Sequence, residues 1–150
     1  ALLRNGWYTE NYLASAPAAL EHGVFIGAAG EGKIASATRA DYAAAAARVI
    51  SEDGHAGKTY ELAGDAGWTL SQLAAELAKQ SGKKVVYQNL SEADFAAALK
   101  GVGLPAGLAD MLADSDTGAS KGGLFDDSHT LSKLIGRPTT SLADSVKGIV

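Results

Sequence analysis

Three features of the sequence predict an α/β fold with some parallel strand pairing. Short apolar runs alternate with helical stretches, as where Val24-Phe25-Ile26 precedes Asp41 to Ser51 and Lys58 to Leu62 precedes Thr69 to Ser81. That order is the signature of βαβ units. Thr69, Ser91 and Ser141 stand ahead of helical periodicities, and Gly23, Gly82 and Gly101 stand behind them, where caps and stops belong. Small residues are abundant: Ala43 to Ala47 is unbroken, and Gly occurs 18 times in 150 residues. Such a composition favours helix and lets helices lie close against a sheet.

The chain opens on Leu2-Leu3-Arg4-Asn5, an apolar run that ends in Asn5-Gly6 and passes through Trp7-Tyr8-Thr9 into a helix. In open α/β sheets ligands bind at the carboxyl ends of strands, which makes Arg4 to Tyr12 the stretch around which the site is expected. Tyr12, Leu13, Ala16 and Leu20 share a face of a helix running to about His22, with Pro17 marking a kink or a late first turn. Val24 to Ile26 reads as a buried strand, Gly27 to Gly32 as a turn, and Ile34 to Thr38 as a second strand by its alternation. Asp41 stands where a cap would, ahead of a helix to about Ser51.

Lys58 to Leu62 is another strand, and Thr69-Leu70-Ser71-Gln72 is a capping-box pattern ahead of Leu73, Ala74 and Leu77. Val85 to Tyr87 returns to strand, and Ser91 caps a helix carrying Phe95 and Leu99. Leu104 to Ala113 reads as a shorter helix, followed by Asp114 to Gly123 as a polar, Gly-rich loop, either over a site or mobile. Asp127 or Ser128 starts a helix with Leu131, Leu134 and Ile135, and Ser141 caps the last, with Leu142, Val146 and Ile149. No repeat or linker divides the chain. Its first apolar residues already read as mid-strand, from which a missing amino-terminal part is expected.

Composition narrows the function classes. Hydrophobic residues make up 47% and charged residues 20%, a soluble globular balance. No apolar run approaches the roughly 18 residues of a membrane helix. A formal charge of −4 and no basic stripe argue against nucleic acid as a partner. The absence of Cys removes disulfides, thiolate metal sites and a thiol nucleophile, and fits a cytoplasmic origin.

The motifs sort quickly. Gly27-Ala28-Ala29-Gly30-Glu31-Gly32-Lys33 imitates a phosphate loop, but such a loop must open a helix, and no Ser or Thr follows Lys33. Asp114-Ser115-Asp116-Thr117-Gly118 starts like a calcium loop, yet Ala119 and Phe125 fall where Gly and Glu are required. This leaves Asp114 to Gly118 as a solvated turn. His22, His55 and His129 are too scattered for a zinc site, and no metal is expected. No Gly-x-Ser-x-Gly elbow exists, and Asp126 to His129 reads as a helix cap. In the opening stretch Trp7 and Tyr8 offer flat faces, while Asn5, Thr9 and Asn11 offer hydrogen bonds. Core packing of both aromatics with Thr9 as a helix cap explains the same residues.

Leu3-Arg4-Asn5-Gly6-Trp7-Tyr8-Thr9-Glu10-Asn11-Tyr12 resembles the segment after the sixth sheet strand in the NmrA-like branch of the atypical short-chain dehydrogenases/reductases, and in particular its quinone-reducing members. The resemblance continues through Ile34 to Asp41, Tyr60 to Gly64, Asp127-Ser128, Leu134-Ile135-Gly136 and Pro138-Thr139-Thr140. It implies that residues 1–150 are the carboxyl-terminal half of a Rossmann-like domain: the last sheet strands plus a smaller substrate-binding part, without the dinucleotide-binding part.

It further implies hydride transfer from NADPH or NADH to a small quinone, with cofactor contact at Asn5, Gly6, Trp7, Tyr8, Thr9 and Glu10, and with Asn11 adjoining. Trp7 and Tyr8 would border the quinone, and Leu104 to Phe125 would form a wall or flap. No Tyr precedes a Lys at the spacing of the superfamily's usual catalytic pair, a pair this branch commonly lacks, so the catalytic residue stays unassigned. Alone, these residues should show little or no reductase activity, and Leu2 to Arg4 should be an unpaired strand that promotes self-association into a homo-oligomer. Two other readings stand beside this one: a redox-sensing regulator that binds the nucleotide without turnover, and an independent monomeric binding module.

Overall fold

The computed structural model describes residues 1–150, and its strands form two separate parallel pairs. Strand β1 (Leu2–Asn5) lies beside β3 (Thr59–Leu62), with Leu2 opposite Thr59 and Asn5 opposite Leu62. Strand β2 (Val24–Gly27) lies beside β4 (Val86–Asn89), with Val24 opposite Val86 and Gly27 opposite Asn89. The chain therefore visits the two pairs in turn. Each crossover carries helix, as parallel neighbours require: α1 (Thr9–Leu13), α2 (Ala16–His22) and α3 (Arg39–Ser51) between β1 and β3, and α3 with α4 (Leu70–Ser81) between β2 and β4. Beyond β4 follow α5 (Glu92–Gly101), α6 (Ala106–Ser120), α7 (Thr130–Ile135) and α8 (Leu142–Lys147).

Helix α4 is the centre of the largest core. The Thr69 hydroxyl accepts from Gln72 N, and the Gln72 side chain returns the bond to Thr69 N, which closes the capping box. Gly82 ends the helix at φ 69°. The face so fixed sets Leu70, Leu73, Ala74 and Leu77 against Phe25, Ile34, Trp68, Val85 and Val146. Each of those leucines contributes roughly 1.5–3 kcal/mol by leaving water. A second core joins Tyr42 and Ala45 of α3 to Leu62, Leu131 and Ile135. A third, small, joins Ala28 to Phe95, Ala96 and Ala113.

Several expectations are corrected. The helix expected from Tyr12 to His22 is two helices, and Pro17 lies in the first turn of the second, where its missing N–H costs nothing. Ile34 to Thr38 is not a strand. Ile34, Ala35, Ser36 and Ala37 are all buried, and their backbone bonds go to changing partners: Trp68 from Ile34, Leu124 from Ala35, Trp7 from Ala37. The alternation in the sequence marked a threaded segment with no solvent face. Strand β1 is not unpaired, since β3 covers one edge and only the other lacks a neighbour.

The stretch Asp114 to Gly123, expected as a loop, is helical through Ser120. Ala109, Ala113, Asp116 and Ala119 form a buried stripe at helical spacing, and this stripe outweighs the loop-like composition. Helix α7 starts at Thr130 with His129 as its cap at φ 54°, rather than at Asp127 or Ser128.

Asp41 is also not the cap of α3. Thr38 is, and its hydroxyl accepts from Asp41 N. The Asp41 carboxylate, 0% exposed, then gathers the Thr38 hydroxyl (2.9 Å), Thr140 N (2.9 Å) and the Arg137 guanidinium (2.7 Å). It thereby ties α3 to the chain between α7 and α8. Burial raises its pKa, but the Thr140 N–H, the Thr38 hydroxyl and Arg137 outweigh that and hold the carboxyl below its usual range.

Asp41→Ala should cost roughly 1–3 kcal/mol in a denaturant titration at neutral pH, because Thr140 N loses its acceptor while the half-exposed Arg137 turns to water. A folded-state pKa below the unfolded value of about 3.9 means stability present above that value and lost as pH falls through the lower one. The variant should therefore lack that part of the acid limb.

Candidate functional site

Strands β1 and β3 end level with each other at Asn5 and Leu62, and Gly6 N adds one further bond to Leu62 O at 2.8 Å. The chain then turns away, leaving a cleft of about 350 Å³ at the strands' carboxyl ends. Asn5, Gly6 and Trp7 line one side, and Leu124, Phe125 and Asp126 line the facing wall. Ala35 N donates to Leu124 O at 2.8 Å and fixes that wall. Phe125 stays 44% exposed toward the cleft, with Gly67 behind its ring and Lys33 Nζ 5.9 Å from the ring centre. At the rim, register partners Arg4 and Glu61 form an exposed ion pair at 2.7 Å. A pair this exposed adds little stability, and Asp126 is the carboxylate of the cleft lining outside it.

The expected contact residues divide here. Asn5, Gly6 and Trp7 reach the cleft, whereas the side chains of Tyr8, Thr9 and Glu10 turn to the start of α3. Tyr8 packs edge-on against Tyr42, ring centres 5.2 Å apart, under the Arg39 guanidinium at 5.2 Å. Asn5 Nδ2 donates to the Tyr8 hydroxyl at 3.3 Å. Thr9 does not cap its helix; Tyr8 holds that position, and the buried Thr9 hydroxyl shares a 2.7 Å hydrogen bond with Ser36. Glu10 Oε1 accepts from Arg39 N at 2.9 Å, an acid where the helix dipole favours one. Asn11 Oδ1 accepts from Arg39 Nη2 at 3.0 Å. These side chains hold the turn that presents Asn5 to Trp7.

Trp7 also lines a second, smaller recess of about 50 Å³, bounded by Tyr12, Phe25, Phe95, Leu112 and Asp116. Asp116, on α6, is 4% exposed. Its carboxylate accepts from the Tyr12 hydroxyl at 3.0 Å and from Ala28 N at 2.8 Å. Burial pushes its pKa up, against the lowering effect of the Ala28 N–H and the Tyr12 hydroxyl. Burial likewise pushes the Tyr12 phenol well above its ordinary value, with the Asp116 charge adding to it. Tyr87, beside them on β4, is pushed up to about 12, by burial first and then by Asp116.

Reading Asp114 to Gly118 as a solvated turn hid this acid. The signal that would have found it is the 109, 113, 116 spacing, which puts Asp116 on the apolar stripe of a helix.

The glycine-rich turn after β2 has a packing role. A Cβ on Gly27 would stand 2.6 Å from a Leu70 methyl and 2.8 Å from Asp116 Oδ2, and one on Gly32 would meet the Ala119 carbonyl. Both glycines seat α6. The histidines lie apart: His22 ends α2, His55 Nδ1 is 2.6 Å from the Tyr60 hydroxyl, and His129 Nδ1 is 3.0 Å from Asp65 Oδ1. No group of three or more His, Asp or Glu side chains is placed to hold a metal ion. What the cleft offers is an aromatic residue, the Asn5 carboxamide oriented by Tyr8, and a facing wall of Leu124 and Phe125 with the Asp126 carboxylate beside them. These features suit a planar ring.

No protein-family model matches the chain. It is 88% identical, over 97% of its length, to quinone oxidoreductase 2 of Escherichia coli strain K12, of which it spans 51%. The crystal structure of the Escherichia coli NADPH-dependent quinone oxidoreductase complexed with NADPH superposes with a TM-score of 0.96 at 86% identity, covering 97% of this chain and 52% of that one. Citrobacter sp. triphenylmethane reductase complexed with NADP(H) superposes with a TM-score of 0.93 at 38% identity, covering 98% of this chain and 52% of that one. The chain thus spans about half the length of the curated relatives it matches. The α/β arrangement is that of the carboxyl-terminal portion of NAD(P)-binding NmrA-like reductases.

Gly32→Ala should push the end of α6 away from its seat and cost about 1–3 kcal/mol, read as a lower Tm. Gly107→Ala, where a Cβ meets nothing within 4 Å, should leave Tm unchanged or raise it.

Proposed function

We propose that the chain belongs to the NmrA-like branch of the atypical short-chain dehydrogenases/reductases and forms the ring-facing part of an NADPH-dependent quinone reductase. Residues 1–150 would serve as the substrate-binding half of that domain. The observation that carries this reading is the Asn5-Gly6-Trp7 turn, which lines an open cleft at the carboxyl ends of β1 and β3. An 86% identical protein holds NADPH in its crystal structure, and an 88% identical one is a quinone oxidoreductase.

The residues fit the nicotinamide end of the nucleotide and not its phosphates. Asn5 offers a carboxamide to a carboxamide, and Trp7 offers a flat face. Arg4 is already paired with Glu61, and the turn from Gly27 to Lys33 opens no helix. When bound, the nicotinamide supplies the hydride. The chain's own work is to orient and to exclude water. Asn5 and Trp7 would fix the nicotinamide plane, and Trp7 would border the quinone. Leu124 and Phe125 would close the opposite side, while Tyr8, Thr9 and Glu10 keep the turn in register with α3. No helix is long and apolar enough to cross a membrane. The quinone expected is a small one.

The test uses the protein expressed from its full reading frame, with NADPH oxidation followed in the presence of 1,4-benzoquinone. The wild type should turn over. Asn5→Ala should weaken NADPH binding about tenfold, a loss of about 1.4 kcal/mol. Trp7→Ala should lower kcat/KM on the order of 10²-fold by misplacing the rings. A flat baseline with nucleotide binding intact would overturn the reductase reading in favour of a sensor that binds without turnover.

A further inference from the structure

The cleft at the carboxyl ends of β1 and β3 is lined by three charged side chains, Arg4, Glu61 and Asp126. Arg4 and Glu61 answer each other at 2.7 Å across the strand pair. Asp126 has no cation opposite it. Its Oδ1 accepts from Ser128 N at 2.9 Å and from the Ser128 hydroxyl at 2.6 Å, while Oδ2 accepts no bond from the protein. Lys33 Nζ, 5.9 Å from the Phe125 ring centre, stands outside the cleft lining. One uncompensated negative charge therefore remains on the wall. Ser128 holds it in place, and Asp126 is itself half-buried. Leu124 and Phe125 beside it exclude part of the water that would screen it.

From this placement we infer that Asp126 is the charge filter of the cleft, admitting neutral quinones and disfavouring anionic ones. The inference rests on the reductase reading above and narrows the class of quinone it takes. A sulfonate or carboxylate carried on the quinone ring brings a second negative charge beside Asp126, and the one cation of the lining is already matched by Glu61. At a separation of about 6 Å and an effective dielectric constant of roughly 40–80, that repulsion weakens association about three- to tenfold. A neutral quinone meets none of it. Salt screens the effect, since the Debye length falls from about 10 Å at 0.1 M to about 3 Å at 1 M. Asp126 acts on which ring enters and takes no part in the hydride transfer.

The protein expressed from its full reading frame is assayed with NADPH and either 1,4-naphthoquinone or its 2-sulfonate. The quantity read is the ratio of kcat/KM for the neutral to the anionic quinone, compared between proteins so that the intrinsic reactivity of the two quinones cancels. Asp126→Asn should lower this ratio about three- to tenfold, and Asp126→Glu, which keeps the charge, should hold it within about twofold of the wild type. Raising the salt from about 0.05 M to about 0.5 M should lower the wild-type ratio and change that of Asp126→Asn less. Equilibrium binding of the sulfonate, read from quenching of tryptophan fluorescence, needs no turnover and should be about three- to tenfold tighter in Asp126→Asn. Equal ratios in the wild type and Asp126→Asn, or equal sulfonate binding by the two, overturn the inference alone. A wild type that reduces neither quinone overturns the reductase reading, and sulfonate binding then decides the filter by itself.

Discussion

The register of β1 on β3 is the constraint from which the site follows. Asn5 stands opposite Leu62, so the two strands stop at one level and Gly6 N still reaches Leu62 O. Parallel strands that end together leave their last residues pointing into a common space. A slip by one residue would exchange the faces of every side chain on β1, burying Arg4 and removing its pairing with Glu61. Register, turn and cleft are one feature seen at three scales. The other edge of β1, which has no neighbouring strand, plays no part in this geometry.

The turn itself is rigid because its outer residues are spent on structure. Tyr8 lies between Tyr42 and Arg39, Thr9 bonds Ser36, and Glu10 bonds the first amide of α3. A site whose supporting shell is locked in this way can present a few groups accurately. Asn5, Gly6 and Trp7 are the groups presented. On the far side α6 does the corresponding work, seated on Gly27 and Gly32, and carries Asp116 inward. The cleft and the recess meet at Trp7. That shared residue is the physical link between the cleft and the buried acid.

Much of this was legible in the sequence where local chemistry and tertiary packing agree. The capping box at Thr69, the stop at Gly82 and the caps at Ser91 and Ser141 all stand as read, because those bonds close within four residues. The resemblance carried by Asn5 to Tyr12 pointed to the turn that lines the cleft. The misreadings share one cause. Ile34 to Thr38 and Asp114 to Ser120 are rich in small and polar residues, whose local preferences are weak, and their state is decided by what packs around them. Ala35 bonds Leu124, and Asp116 bonds Ala28, partners too distant in sequence for any local pattern to show. Thr38 took the cap from Asp41 because Thr140 and Arg137 claim the carboxylate, again from far along the chain.

Hydrogen exchange measured with and without NADPH, on the protein expressed from its full reading frame, bears most directly on the central claim that the turn after β1 faces the nicotinamide ring. Protection should appear in peptides spanning Asn5 to Glu10 and in those spanning Leu124 to Asp126, the two walls of the cleft. Protection confined to other parts of the protein, with both of these segments exchanging as they do without nucleotide, would contradict it.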